Sequence, residues 1–205
     1  MSDAIVVPGA RDVRGSLDEP DPDDAPRGAC VIACPPHPQL GGSRSDRRLT
    51  AVADALTGRG IACLRFDYGP WDEGRGELAD VRNALAWARE EYERVASFGY
   101  SFGGCLALVA AAEEASVERP LAAVSALAPA ARVGDGVDAV AAIDEIACPG
   151  QVVYGERDET ADWRPVVERA EARGFAVTAL AADHHFVGQA GKAAAAVEEF
   201  FAGVL

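Results

Sequence analysis

The sequence predicts an α/β fold: a mostly parallel central sheet with helices on both faces and no substantial lid domain. Three observations carry this. From Ala29 onward short apolar runs alternate with longer helical stretches, the pattern of a parallel sheet wound with helices. The residues with chemistry to offer, His37, Ser101, Asp158 and His184, each follow a strand, and ligands of such sheets bind at the carboxyl ends of the strands. With 205 residues, 49% of them hydrophobic, the chain can bury one sizeable core, so residues 1–205 are read as a single domain.

Taken in order, Ala4 to Val7 and Arg11 to Leu17 read as two short strands around Pro8-Gly9, and residues 18–26 as an acidic, proline-rich surface loop. Strands are then expected over Ala29 to Cys34, Ile61 to Phe66, Val95 to Phe98, Ala122 to Ala126, Gln151 to Tyr154 and Ala176 to Leu180. The intervening helices are Asp46 to Thr57, Glu77 to Glu93, Phe102 to Ala115, Asp162 to Arg173 and Gln189 to Phe201. About two dozen residues separate the strand ending near Ala126 from the one starting near Gln151, and Val137 to Ile143 is expected to form a short helix there. That leaves no room for a large insertion, so the site should be open.

Gly99-Tyr100-Ser101-Phe102-Gly103 sits where the run Val95 to Phe98 gives way to the helix from Phe102. This is the setting of a nucleophile elbow. A serine on a sharp strand-to-helix turn takes a strained backbone conformation, glycines on either side make room for it, and the helix start aims backbone N–H groups at an oxyanion. A tight turn whose serine merely caps a helix would have the same string. An acid and a histidine downstream, in that order, favour the elbow. Asp158 follows the buried-strand pattern Val152-Val153-Tyr154-Gly155 and can accept an imidazole N–H, with Glu156, Asp162 and Asp183 as competitors. His184 and His185 follow the strand Ala176 to Leu180, and position favours His184 as the base.

Cys34-Pro35-Pro36-His37-Pro38-Gln39 follows the first parallel strand, where the second oxyanion donor is expected. Prolines 35, 36 and 38 have no N–H, so His37 and Gln39 are the early donors. The backbone N–H groups of His37 and Phe102 are expected to form the oxyanion hole. Gln39, Leu40, Trp71 and His185 are candidate pocket residues.

Composition excludes other classes. The formal net charge is −14, with 33 acidic residues, and Lys192 is the only lysine. Such a surface repels nucleic acid and anionic membranes, so neither is an expected partner. The acid-rich, lysine-poor balance is that of proteins from salt-accumulating halophiles, and also of a GC-rich genome's codon usage. No apolar stretch approaches the roughly 18 to 20 residues of a membrane span, and the first residues carry no secretory pattern, so a cytoplasmic location is expected. The five cysteines (Cys30, Cys34, Cys63, Cys105, Cys148) include no CxxC pair and read as buried, reduced, small apolar side chains.

The motifs PPHPQLGG, GYSFGG and ADHHFVG, with the helix RGELADVRNALAW, resemble the α/β-hydrolase superfamily, in particular its small lidless members similar to dienelactone hydrolases, from about residue 29 to the end. The resemblance implies Ser101 as nucleophile, Asp158 as acid and His184 as base. Three positions depart from the family pattern: Pro35 replaces the first histidine of the oxyanion loop, His185 an aromatic beside the base, and the segment after Phe66 is shortened. A dienelactone hydrolase proper often uses cysteine, so that specific activity is not expected. The expected reaction is cleavage of a small carboxylic ester or thioester through an acyl-enzyme, with no metal or cofactor and a small-molecule ester as partner. The alternative class is a hydrolase-fold binding or regulatory protein without turnover.

Overall fold

The computed structural model describes residues 2–9, 11–21 and 28–205. Among these, one sheet holds eight strands in the order β1-β2-β4-β3-β5-β6-β9-β10. β1 (Ser2–Val7), β2 (Val13–Asp18) and β4 (Ala62–Asp67) pair antiparallel. β3 (Ala29–Cys34), β4, β5 (Arg94–Tyr100), β6 (Val124–Leu127), β9 (Gly150–Gly155) and β10 (Ala176–Leu180) run parallel. The mostly parallel sheet matches the sequence expectation. β3 is buried along its whole length, as a central strand covered on both faces must be.

Alternation along β3 divides the core. Cys30, Ile32 and Cys34 face one apolar cluster, shared with α2 (Arg75–Glu91) and α3 (Phe102–Glu113), while Ala29, Val31 and Ala33 face the other, shared with α1 (Arg47–Thr57) and α6 (Ala190–Val204). Residues 102–111 of α3 are all buried, and the helix is apolar on every side because it lies between the sheet and α2. Asp46 caps α1 by accepting the Arg48 N–H at 2.8 Å. α5 (Arg164–Ala172) completes the helices around β9 and β10.

Between β6 and β9 there is no lid, only a hairpin of β7 (Arg132–Val133) and β8 (Val137–Asp138) and the single turn α4 (Ala139–Ala142). The helix expected over Val137 to Ile143 is therefore shorter than its sequence suggests. Gly134 and Gly136, both at positive φ, turn the chain so that Val137 pairs with Val133, and Asp138 then caps the turn at the Ala141 N–H. The loop expected over 18–26 also needs correction at its start. Asp18 ends β2 and accepts two hydrogen bonds from Arg65, at 2.6 and 3.0 Å, so it is a fixed ion-pair partner rather than spacer. Residues 22–26 of that loop lie outside the described residues. The strand expected from Arg11 begins at Val13, because Asp12 adopts φ 52° and Arg11 turns away to another task.

The described thiols are unpaired; Cys30, Cys34, Cys63 and Cys105 are buried and Cys148 is partly so. Burial pushes the Cys105 and Cys30 thiols up to about 12, which removes thiolate chemistry from both. No helix among the described residues is long and apolar enough to cross a membrane.

Arginine–carboxylate pairs such as Arg82–Glu113 and Arg169–Asp144 cover part of the surface, yet 33 acids against 19 basic residues leave a large unpaired negative surplus. Exposed pairs contribute little each, whereas the surplus repels itself over distances that salt shortens. The thermal midpoint is accordingly expected to rise by several degrees between about 0.1 M and 2 M KCl. A flat or falling midpoint in calorimetry would favour codon usage as the origin of the composition.

Candidate active site

Ser101 sits between β5 and α3 at φ 56°, ψ −114°, a conformation that an L-residue adopts only when its surroundings impose it. The imposing contacts are visible. A Cβ on Gly99 would lie 2.0 Å from the Gly103 carbonyl oxygen, and one on Gly103 would lie 2.2 Å from the Cys34 and 2.4 Å from the Pro35 carbonyl oxygens. Both glycines are thus required by backbone-to-backbone contact, which seats the start of α3 directly against the end of β3. Gly103→Ala is expected to cost about 3 kcal/mol or more, since neither carbonyl can retreat without moving a central strand. A denaturant midpoint equal to that of the wild type would contradict this packing.

Ser101 Oγ and His184 Nε2 are 3.0 Å apart, and His184 Nδ1 and Asp158 Oδ2 are 2.7 Å apart. Asp158 is 2% exposed and His184 6%. Asp158 Oδ1 accepts the Thr160 and Ala161 N–H groups at 2.8 and 3.0 Å, leaving Oδ2 to the imidazole. Gly155 is part of this arrangement, because a Cβ there would lie 2.6 Å from the Ala182 carbonyl oxygen on the histidine loop. In the tautomer with Nδ1–H donated to the carboxylate, Nε2 can accept a hydrogen bond from the Ser101 hydroxyl. The other acids named from the sequence stand elsewhere: Glu156 and Asp183 are exposed, and Asp162 lines a separate cleft with Asp144 and Arg169.

The histidine loop has two further anchors that sequence reasoning missed. Tyr100 donates its buried hydroxyl to the His184 carbonyl oxygen at 2.9 Å. Arg48 lies over the Tyr100 ring, 4.4 Å from its centre, and donates to the His185 carbonyl oxygen at 3.1 Å. Tyr100 is the variable position of GYSFG, and only the fold brings Arg48 to it.

A cleft of about 550 Å³ opens at Ser101, lined by His37, Leu40, Trp71, Glu73, Phe102 and residues 130 and 132–135. Of the candidate pocket residues, Leu40 and Trp71 line it; Gln39 and His185 do not. The chain turns through a short 3-10 helix at Pro38–Leu40, which leaves Gln39 exposed with its N–H donated to His37 Nδ1 at 3.3 Å. His185 is exposed in the turn that buries His184, its ring edge-on to that of His184 at 79° and 5.4 Å between centres. The contribution of residues 130–135 was also missed, although Gly134-Asp135-Gly136 between two valines is a hairpin signal.

Neither the His37 nor the Phe102 backbone N–H donates to an acceptor among the described residues, and their rings stand 4.9 Å apart beside Ser101. Two free donors at the start of α3 and the end of the β3 loop suit a developing negative charge. Burial lowers the His37 pKa, partly offset by Glu77.

No family model matches the sequence. A curated relative, the quorum-quenching protein AidA of Acinetobacter baumannii (strain MDR-ZJ06), is 37% identical over 89 residues, which are 37% of this chain and 29% of that protein. Among solved structures, XC6422 from Xanthomonas campestris, an α/β serine hydrolase without a lid, is 26% identical with a TM-score of 0.79, covering 97% of this chain and 92% of that one. Est1E from Butyrivibrio proteoclasticus shares the fold at a TM-score of 0.82 and 19% identity, over 97% of each chain. A dienelactone hydrolase from Anabaena variabilis does so at 0.78 and 22%, over 100% of this chain and 98% of that one.

Proposed function

From its place in the α/β-hydrolase superfamily, among the members without a lid, we propose that the chain is a serine hydrolase that cleaves a small carboxylic ester, or a thioester, through an acyl-enzyme. The observation that carries this is the line of contacts from Ser101 Oγ through His184 to buried Asp158, opening on the cleft. His184 Nε2 takes the Ser101 proton as the hydroxyl attacks the substrate carbonyl. The backbone N–H groups of Phe102 and His37 hold the resulting oxyanion, and Asp158 stabilises the imidazolium. Collapse of the tetrahedral intermediate passes the proton from His184 to the leaving alcohol. Water then repeats the sequence on the acyl-enzyme and releases the acid, restoring Ser101.

Serine rather than cysteine is favoured as the nucleophile because Cys34 and Cys105 are buried thiols whose pKa burial raises. Labelling of purified protein with a fluorophosphonate tests the reading, because the probe needs an activated serine and a formed oxyanion hole. The label should map to Ser101, and p-nitrophenyl esters of graded acyl length should be turned over. An unlabelled, correctly folded protein would instead support a binding or regulatory role without turnover.

A further inference from the structure

Two buried carboxylates and a part-buried arginine, all outside the proposed catalytic residues, meet behind one wall of the cleft. Glu77 and Asp80, on the first two turns of α2, have 0% exposure, and the side chain of Arg11 reaches them from the turn between β1 and β2. Arg11 Nε donates to Asp80 Oδ1 at 2.9 Å, one of its terminal nitrogens donates to the Pro70 carbonyl oxygen, and Glu77 Oε1 lies 3.9 Å from the guanidinium. The side chain occupies a slot that only glycine leaves open. A Cβ on Gly76 would lie 2.3 Å from the guanidinium carbon, and one on Gly69 would lie 2.5 Å from the Arg11 carbonyl oxygen.

The same carboxylates hold the backbone of residues 69–74. Asp80 Oδ2 accepts the Gly69 N–H at 2.9 Å, and the two oxygens of Glu77 accept the Asp72 and Gly74 N–H groups at 2.8 Å each. With Pro70 held by Arg11, four of these six residues are tied through a backbone group to the buried charges. The segment carries Trp71 and Glu73 into the cleft, and Trp71 packs on His37 at 4.6 Å between ring centres and on Phe102 at 5.9 Å. Helix capping alone would need Glu77. It would not need an arginine brought to Asp80 from 69 residues away in sequence, nor the slot that admits it. Burial pushes the Asp80 carboxyl pKa up against the opposing pull of the Gly69 N–H and Arg11, so removing the guanidinium leaves two buried carboxyl groups with no cation between them.

We propose that Arg11, with Asp80 and Glu77, positions the Trp71 wall of the cleft and so sets the affinity for esters whose acyl group reaches that wall, rather than the rate of acyl transfer. The choice of test ester rests on the proposed esterase activity; the position of Trp71 does not. Full-length protein labelled with 5-fluorotryptophan has three fluorine resonances to follow, for Trp71, Trp87 and Trp163, and loss of one in Trp71→Phe assigns the first.

In Arg11→Met the Trp71 resonance is expected to shift or broaden while the other two hold. KM for p-nitrophenyl benzoate should rise about tenfold with kcat within about threefold, and p-nitrophenyl acetate should be affected less. Arg11→Lys should restore part of the effect, as a point charge without the guanidinium fork. Asp80→Asn, which keeps shape and loses charge, serves if Arg11→Met fails to fold, and should move the same resonance. An unmoved Trp71 resonance in a folded variant overturns the proposal, as does a KM unchanged for the benzoate or a fall confined to kcat. If the wild type hydrolyses neither ester, the esterase reading falls, and the fluorine spectrum still decides whether Arg11 holds Trp71.

Discussion

Ser101→Ala is expected to lower kcat by about 10⁴-fold or more on any activated ester, with KM nearly unchanged. Only the attacking oxygen is lost, while the cleft walls and the buried Asp158–His184 pair remain. The substitution leaves the backbone problem as it was, because alanine at φ 56° meets the same strain that serine does. Thermal unfolding of the variant should therefore stay near that of the wild type, separating loss of chemistry from loss of fold. Undiminished hydrolysis in a folded Ser101→Ala protein would overturn the catalytic reading as a whole.

The adjacent histidines should behave oppositely. His184→Ala removes the group 3.0 Å from Ser101 Oγ and 2.7 Å from Asp158, and leaves that buried carboxylate facing a void. A loss of about 10³-fold or more in kcat/KM is expected. His185→Phe changes an exposed ring whose residue is tied to the structure through its carbonyl oxygen, which the substitution keeps. It should remain within about threefold of the wild type. Measuring kcat/KM for both on one p-nitrophenyl ester decides the matter, and activity retained in His184→Ala but lost in His185→Phe would transfer the role to His185.

Legibility in the sequence followed the range of the interactions. GYSFG is readable because half of the elbow's requirement is local: a Cβ on Gly99 would meet the Gly103 carbonyl across the turn, whereas Gly103 is required by the carbonyls of Cys34 and Pro35 far away in sequence. Asp158 and His184 were readable as candidates because each follows a strand whose apolar run is local. Gln39 lies outside the cleft because the 3-10 turn at Pro38–Leu40 decides which of two adjacent side chains meets it. Asp18 reads as a loop acid in the sequence because its partner Arg65 lies on another strand.

What the sequence determined by itself is the layered α/β architecture and the chemical types available at the strand ends, since apolar periodicity and turn chemistry act over a few residues. Tertiary structure alone decided which acid faces the imidazole, that Arg48 and Tyr100 hold the histidine loop, that residues 130 and 132–135 wall the cleft, and that Arg11 passes Gly76 to the buried carboxylates of α2. The physical reason is desolvation. A charged side chain is a solvated surface group until the fold removes its water, and only then must its partner be a particular residue, wherever in the chain that residue lies.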